Sequence, residues 1–110
     1  MFNFKDHYDI NDLISIVKIL RSENGCPWDK VQTHKSIKSD FIEEVYEVIE
    51  AIDMDSAEML QEELGDVLLQ VVFHSQIKTE ENVFSFDDVC NDICQKLIIR
   101  HPHVFGEIKV

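Results

Sequence analysis

The chain has 110 residues, with 22 Asp and Glu against 10 Lys and Arg and a formal charge of −12. That length suits one domain spanning residues 1–110. A 45% hydrophobic content with few glycines and prolines describes a core-forming chain, which excludes a disordered acidic tail. The acidic excess repels phosphate backbones and anionic lipid heads, so it argues against nucleic-acid and membrane partners, and an anionic substrate would need a metal beside it.

The first helix is predicted over about residues 11–21, where Leu13, Ile14, Val17 and Leu20 follow helical spacing behind Asp9 or Asn11 as N-cap. It stops near Gly25 and Pro27. The stretch from Ser22 to Lys30 has turn chemistry and the only tryptophan, Trp28, which predicts an ordered loop pinned by an aromatic anchor. A second helix is expected from near Thr33 to about Asp53, and a third from a cap at Asp55 or Ser56 to about Thr79. Only a tight turn separates them, so they pack antiparallel. The fourth is expected from Ser85, with Asp88 three residues on as a capping box, to Arg100 before Pro102. The tail from His101 onward reads as short and mixed. The expected architecture is an all-α antiparallel bundle of about four helices.

Residues 67–73 of the third helix are apolar nearly all round, more than three short neighbours can cover. That predicts a homo-oligomer, most simply a two-fold dimer that completes the bundle. No run approaches the roughly 18 apolar residues of a bilayer span, and residues 1–12 scatter charges where a secretory leader would be apolar. Three cysteines, Cys26, Cys90 and Cys94, form no paired framework, and a cytoplasmic chain with reduced thiols is expected. A zinc site of Cys90, Cys94, His101 and His103 has no standard spacing, and the cysteines read as packing residues. His34, His74, His101 and His103 likewise read as packing or capping residues, Met54, Met59 and the phenylalanines as core or turn filling, and Trp28 as structural before functional.

Advancing about 100° per residue sorts the acids of the second helix. Ile37, Phe41, Val45, Val48 and Ile52 form an apolar stripe with Glu44 at its edge and Glu47 further round, while Glu43 and Glu50 point most nearly away. On the third helix Leu60, Leu64, Val67 and Val71 form the stripe, Glu63 lies at its edge, and Asp66 falls among Leu69, Phe73 and Ile77. Gly65 beside Asp66 costs roughly 1 kcal/mol against alanine in mid-helix, so close packing is expected there. In an antiparallel hairpin the pairs Glu44, Glu47 and Glu63, Asp66 can converge. At about 4 Å each pair of charges repels by about 1 kcal/mol in water and nearer 4 at an effective dielectric of 20. A hard divalent cation relieves this, and an all-oxygen set favours Mg²⁺ or Mn²⁺ over Zn²⁺. The opposing reading is a solvated acidic helix face, which suits any one of these residues taken singly.

The pattern Glu43-Glu44-x-x-Glu47 followed by Glu63-x-x-Asp66 resembles the metal motif of the MazG-type nucleoside triphosphate pyrophosphohydrolases. The resemblance extends over nearly the whole chain, through Gly25-Cys26-Pro27-Trp28-Asp29, Gln32-Thr33-His34, Glu62 to Asp66, Gln70 to His74 and His101 to Gly106, and it is nearest to the first copy of two-copy members. It implies an all-α fold that pairs helices between subunits, and Mg²⁺-dependent hydrolysis of NTPs or dNTPs to the monophosphate and pyrophosphate. It further implies Glu44, Glu47, Glu63 and Asp66 as metal ligands, Glu43 as the base that activates water, and Lys96 and Arg100 as phosphate contacts. Many relatives carry a second arginine where this chain has Ile99. Trp28 is a candidate for stacking on the base and Lys30 for reaching a phosphate. Two other functions stay open: a metal-stabilised dimeric regulatory module with little turnover, and a related pyrophosphohydrolase specific for dUTP, dCTP or phosphoribosyl-ATP.

Overall fold

The computed structural model describes residues 2–106, and among them every regular element is helical. Four long helices, α1 (Ile10–Leu20), α2 (His34–Asp53), α3 (Ala57–Glu80) and α4 (Phe86–Arg100), precede a short α5 (Pro102–Phe105). Each long helix opens on a residue whose side chain accepts from a first-turn amide: Asp9, Thr33, Ser56 and Ser85. At Asp9, Thr33 and Ser85 the bond is reciprocated by Asp12, Ser36 and Asp88, so three of the four starts are complete capping boxes.

The α2–α3 and α3–α4 connections share one geometry. Asp55 (φ 53°) and Asn82 (φ 60°) adopt the left-handed conformation just past the helix ends. The next amides, of Ser56 and Val83, reach back to the carbonyls of Ala51 and Lys78 at 3.1 and 3.0 Å. Short polar side chains tolerate that conformation, so both helices stop without a glycine. α5 is an element beyond the four expected; Pro102, at its N-terminus, suits a helix start because it lacks the amide that would be unpaired there.

α3 is the central element: α2 packs along it, and α1 and α4 pack against it to a lesser extent. The core gathers Val17, Ile37, Val72, Phe73 and Ile77, with Leu13, Ile14, Leu69 and Phe86 around them. Ala51 closes α2 near the turn. The inward stripe of α2 therefore runs through Ile37, Phe41, Glu44, Val48 and Ala51, not through Val45 and Ile52, which are exposed. Leu64, expected on the α3 stripe, is half exposed too. Ile42, Tyr46 and Ile49 of α2 and Leu68 of α3 are exposed as well.

Trp28 does not anchor the loop after α1: it is 77% exposed. Arg21 does that work. Its guanidinium donates to the carbonyls of Asp29 (2.7 Å) and Gln32 (3.0 Å), grips both carboxylate oxygens of Glu80 (2.9 and 3.0 Å), and lies 5.1 Å over the Phe73 ring. Only 7% of the Arg21 side chain is exposed, and these bonds hold the Glu80 carboxyl below its ordinary range. Gly25 completes the loop, because a Cβ there would strike the carbonyls of Ile19 and Leu20.

Candidate metal centre in the α2–α3 seam

Glu44 lies on the α2 stripe itself, between Phe41 and Val48, and not merely at its edge. Glu47 is one turn on and exposed, and from α3 Glu63 and Asp66 face the same seam, half-buried. One carboxylate oxygen from each of the four lies within 4.8 Å of the other three. Among the described residues this is the one group of three or more acidic, histidine or cysteine side chains gathered closely enough to share an ion. Cys90, Cys94, His101 and His103 are not gathered in this way. Cys94 is exposed, against its expected packing role, and His101 caps α4 through Nδ1, 2.6 Å from the Leu97 carbonyl.

The electrostatics follow from crowding. A proton shared with Glu47, reinforced by burial and by the charges of Glu47 and Asp66, pushes the Glu63 carboxyl up to about 7. Burial, then the charges of Glu47 and Asp66, raises Glu44 as well. Glu44 Oε2 and Glu63 Oε2 are buried and have no hydrogen-bond partner. Buried carboxylate oxygens without donors are costly, and a hard cation satisfies them as hydrogen bonds otherwise would. Carboxylate oxygens gathered this closely would hold a single hard divalent cation, which would supply the positive charge that the crowded acids lack.

The other residues singled out from sequence stand apart from this group. Glu43 is exposed beside Glu44. Lys96 and Arg100 are exposed on α4, a helix without a fully buried residue. Trp28 is open to solvent, and Lys30 Nζ donates to the Glu23 carbonyl at 3.1 Å. Gly65 is not explained by packing within the chain: nothing lies within 4 Å of where its Cβ would be. The sequence reading missed a histidine pair, His34 and His74, whose Nδ1 atoms are 2.7 Å apart. Burial, and then the neighbouring His34, lowers His74 from the ordinary imidazole range. The one available signal was the four-residue spacing of Asp66, Gln70 and His74 along α3.

The sequence profile of the MazG nucleotide pyrophosphohydrolase domain matches residues 32–105, which include all four carboxylates. The chain belongs to that family. Among MazG relatives, the nucleoside triphosphate pyrophosphohydrolase/pyrophosphatase MazG of Thermotoga maritima is 57% identical over 96 residues, 87% of this chain and 38% of that protein. The nucleoside triphosphate pyrophosphohydrolase of Escherichia coli K12 is 50% identical over 99 residues, 89% of this chain and 38% of its own length. YabN of Bacillus subtilis, described as uncharacterized, is 51% identical over 104 residues, 94% of this chain and 21% of that protein. The MazG domain described here thus spans between about a fifth and two-fifths of these relatives. Among the described residues no helix is long and apolar enough to cross a membrane.

Proposed function

We propose that this chain, as one MazG-type unit over residues 1–110, hydrolyses nucleoside triphosphates between the α- and β-phosphorus to the monophosphate and pyrophosphate. The observation that carries the reading is the seam of four convergent carboxylates with two unpartnered buried oxygens, in a member of this family. Glu44, Glu47, Glu63 and Asp66 hold a divalent cation, Mg²⁺ or alternatively Mn²⁺. When bound, that ion neutralises the triphosphate and acidifies a nearby water. Glu43, exposed beside the first ligand, is free to take the proton of the attacking water. The new P–O bond forms at the α-phosphorus as the bond to the bridging oxygen breaks, so pyrophosphate leaves intact. Lys96 and Arg100 meet phosphate oxygens, and Trp28 and Lys30 stand at the open loop for base and phosphate contacts.

The same reading includes a homo-oligomer, most simply a two-fold dimer, in the cytoplasm where the three free cysteines stay reduced. The surface supports association. The chain exposes 8670 Å², against about 6,300 Å² for a monomer of this mass. Its radius of gyration is 16.7 Å, against about 13 Å for a compact chain of this length. Sedimentation showing only monomer across micromolar concentrations would reject the dimer.

The deciding assay incubates the protein with each NTP and dNTP plus Mg²⁺ and follows the phosphate product. Pyrophosphate release supports the enzyme and its pattern names the base and sugar, including a dUTP, dCTP or phosphoribosyl-ATP preference if those are added. Orthophosphate release means a different phosphatase, and no release means a metal-stabilised interaction module.

A further inference from the structure

Among the described residues five buried side-chain atoms lack a hydrogen-bond partner: Glu44 Oε2, Glu63 Oε2, Gln70 Oε1, His34 Nε2 and His74 Nε2. Two belong to the carboxylate group; the rest continue the same polar seam away from the turn. His34 and His74 are joined there at 2.7 Å between Nδ1 atoms. Their ring planes differ by 8° and their centroids are 5.0 Å apart. The centroid separation exceeds the N···N distance by about one ring's width, so the rings meet edge to edge in nearly one plane, and Phe41 lies 5.6 Å from His74. Two imidazole nitrogens so placed hold one proton between them, one Nδ1 donating and the other accepting.

His34 precedes Glu44 by about 15 Å along α2, and His74 follows Asp66 by about 12 Å along α3, at the helical rise per residue. The pair is therefore level across the hairpin, on the far side of the carboxylates from the Asp55 turn. The four acids lie between two ties, and their repulsion works to part the helices between them. Turning either helix by one residue, about 100°, would carry a carboxylate out of the seam.

We propose that His34 and His74 are positioning residues whose mutual hydrogen bond holds α2 and α3 at the rotation that brings Glu44 and Glu47 onto Glu63 and Asp66. The inference rests on the metal-binding reading above. It makes the bond at Nδ1, and not the bulk of the rings, the feature that matters.

Isosteric substitutions separate the two. An asparagine amide occupies the place of Nδ1, whereas a glutamine amide occupies that of Nε2. Mn²⁺ alone is titrated into the full chain at pH 7.5, the free ion being read by electron paramagnetic resonance and folding by circular dichroism. His34→Gln and His74→Gln weaken binding by about fivefold, the loss of one neutral hydrogen bond, while His34→Asn and His74→Asn stay within about twofold of the parent. Equal affinities for the Asn and Gln variants overturn the positioning role while leaving the metal site intact. A parent chain that binds no Mn²⁺ overturns the metal reading itself and the role with it. Independently of any metal, ¹⁵N spectra of the parent show one protonated and one bare Nδ1 in the pair; two bare Nδ1 atoms refute the bond.

Discussion

Raising pH from 6 to 8 tests the electrostatics of the carboxylate seam directly. With the Glu63 carboxyl pushed up to about 7 by its shared proton with Glu47, burial and neighbouring charge, about one-tenth of the sites are ready to ligate at pH 6 and about nine-tenths at pH 8. Apparent Mg²⁺ affinity therefore rises about tenfold over that interval, and near pH 7 each ion bound expels about half a proton from this carboxyl pair. Titration calorimetry in two buffers of different ionisation enthalpy measures both quantities. The stability of the metal-free protein moves the other way: a folded-state value above the unfolded one stabilises fully below the ordinary carboxylate range and is lost as pH rises through about 7. Melting temperature without metal should fall between pH 5.5 and 7.5, and Mg²⁺ should restore it. Flat affinity from pH 6 to 8, with no proton released, would refute the reasoning.

Saturating Mg²⁺ stabilises the folded chain by about 2.7 kcal/mol at a hundredfold excess over its dissociation constant, and Glu63→Gln removes most of that response; thermal melts with and without the ion decide it. Arg21→Leu strands the Glu80 carboxylate and two loop carbonyls and costs about 3 kcal/mol in urea unfolding, whereas Arg21→Lys recovers only part because it lacks the fork. Gly25→Ala drives a methyl into two backbone carbonyls and costs about 2 kcal/mol or more by the same measurement.

Helix starts were legible because each depends on residues within one turn: Thr33 and Ser85 announce themselves, and the choices between Asp9 and Asn11 and between Asp55 and Ser56 go to Asp9 and Ser56. The meeting of Glu44, Glu47, Glu63 and Asp66 was legible for the same reason, since spacing along two antiparallel helices places them. The phase of the α2 stripe was not. Hydrophobicity favours Val45 and Ile52, yet Ala51 is the residue buried against α3, because a small side chain admits close approach near the turn. Trp28 and the Arg21 network escaped because burial and long-range pairing are settled by partners up to 59 residues away. His34 and His74 pair across 40 residues, and apart from the four-residue spacing of His74 from Gln70 and of Gln70 from Asp66 neither local segment marks them.

Of the four long helices α4 alone buries no side chain completely, so its opening costs less than that of the others. On the proposed reading this is the arm that carries Lys96 and Arg100, and a polyphosphate must steady it before both cations engage. Some of the ligand's attraction is consumed in that ordering, which penalises shorter phosphate chains more than the count of lost contacts alone: nucleoside diphosphates should compete poorly with triphosphates.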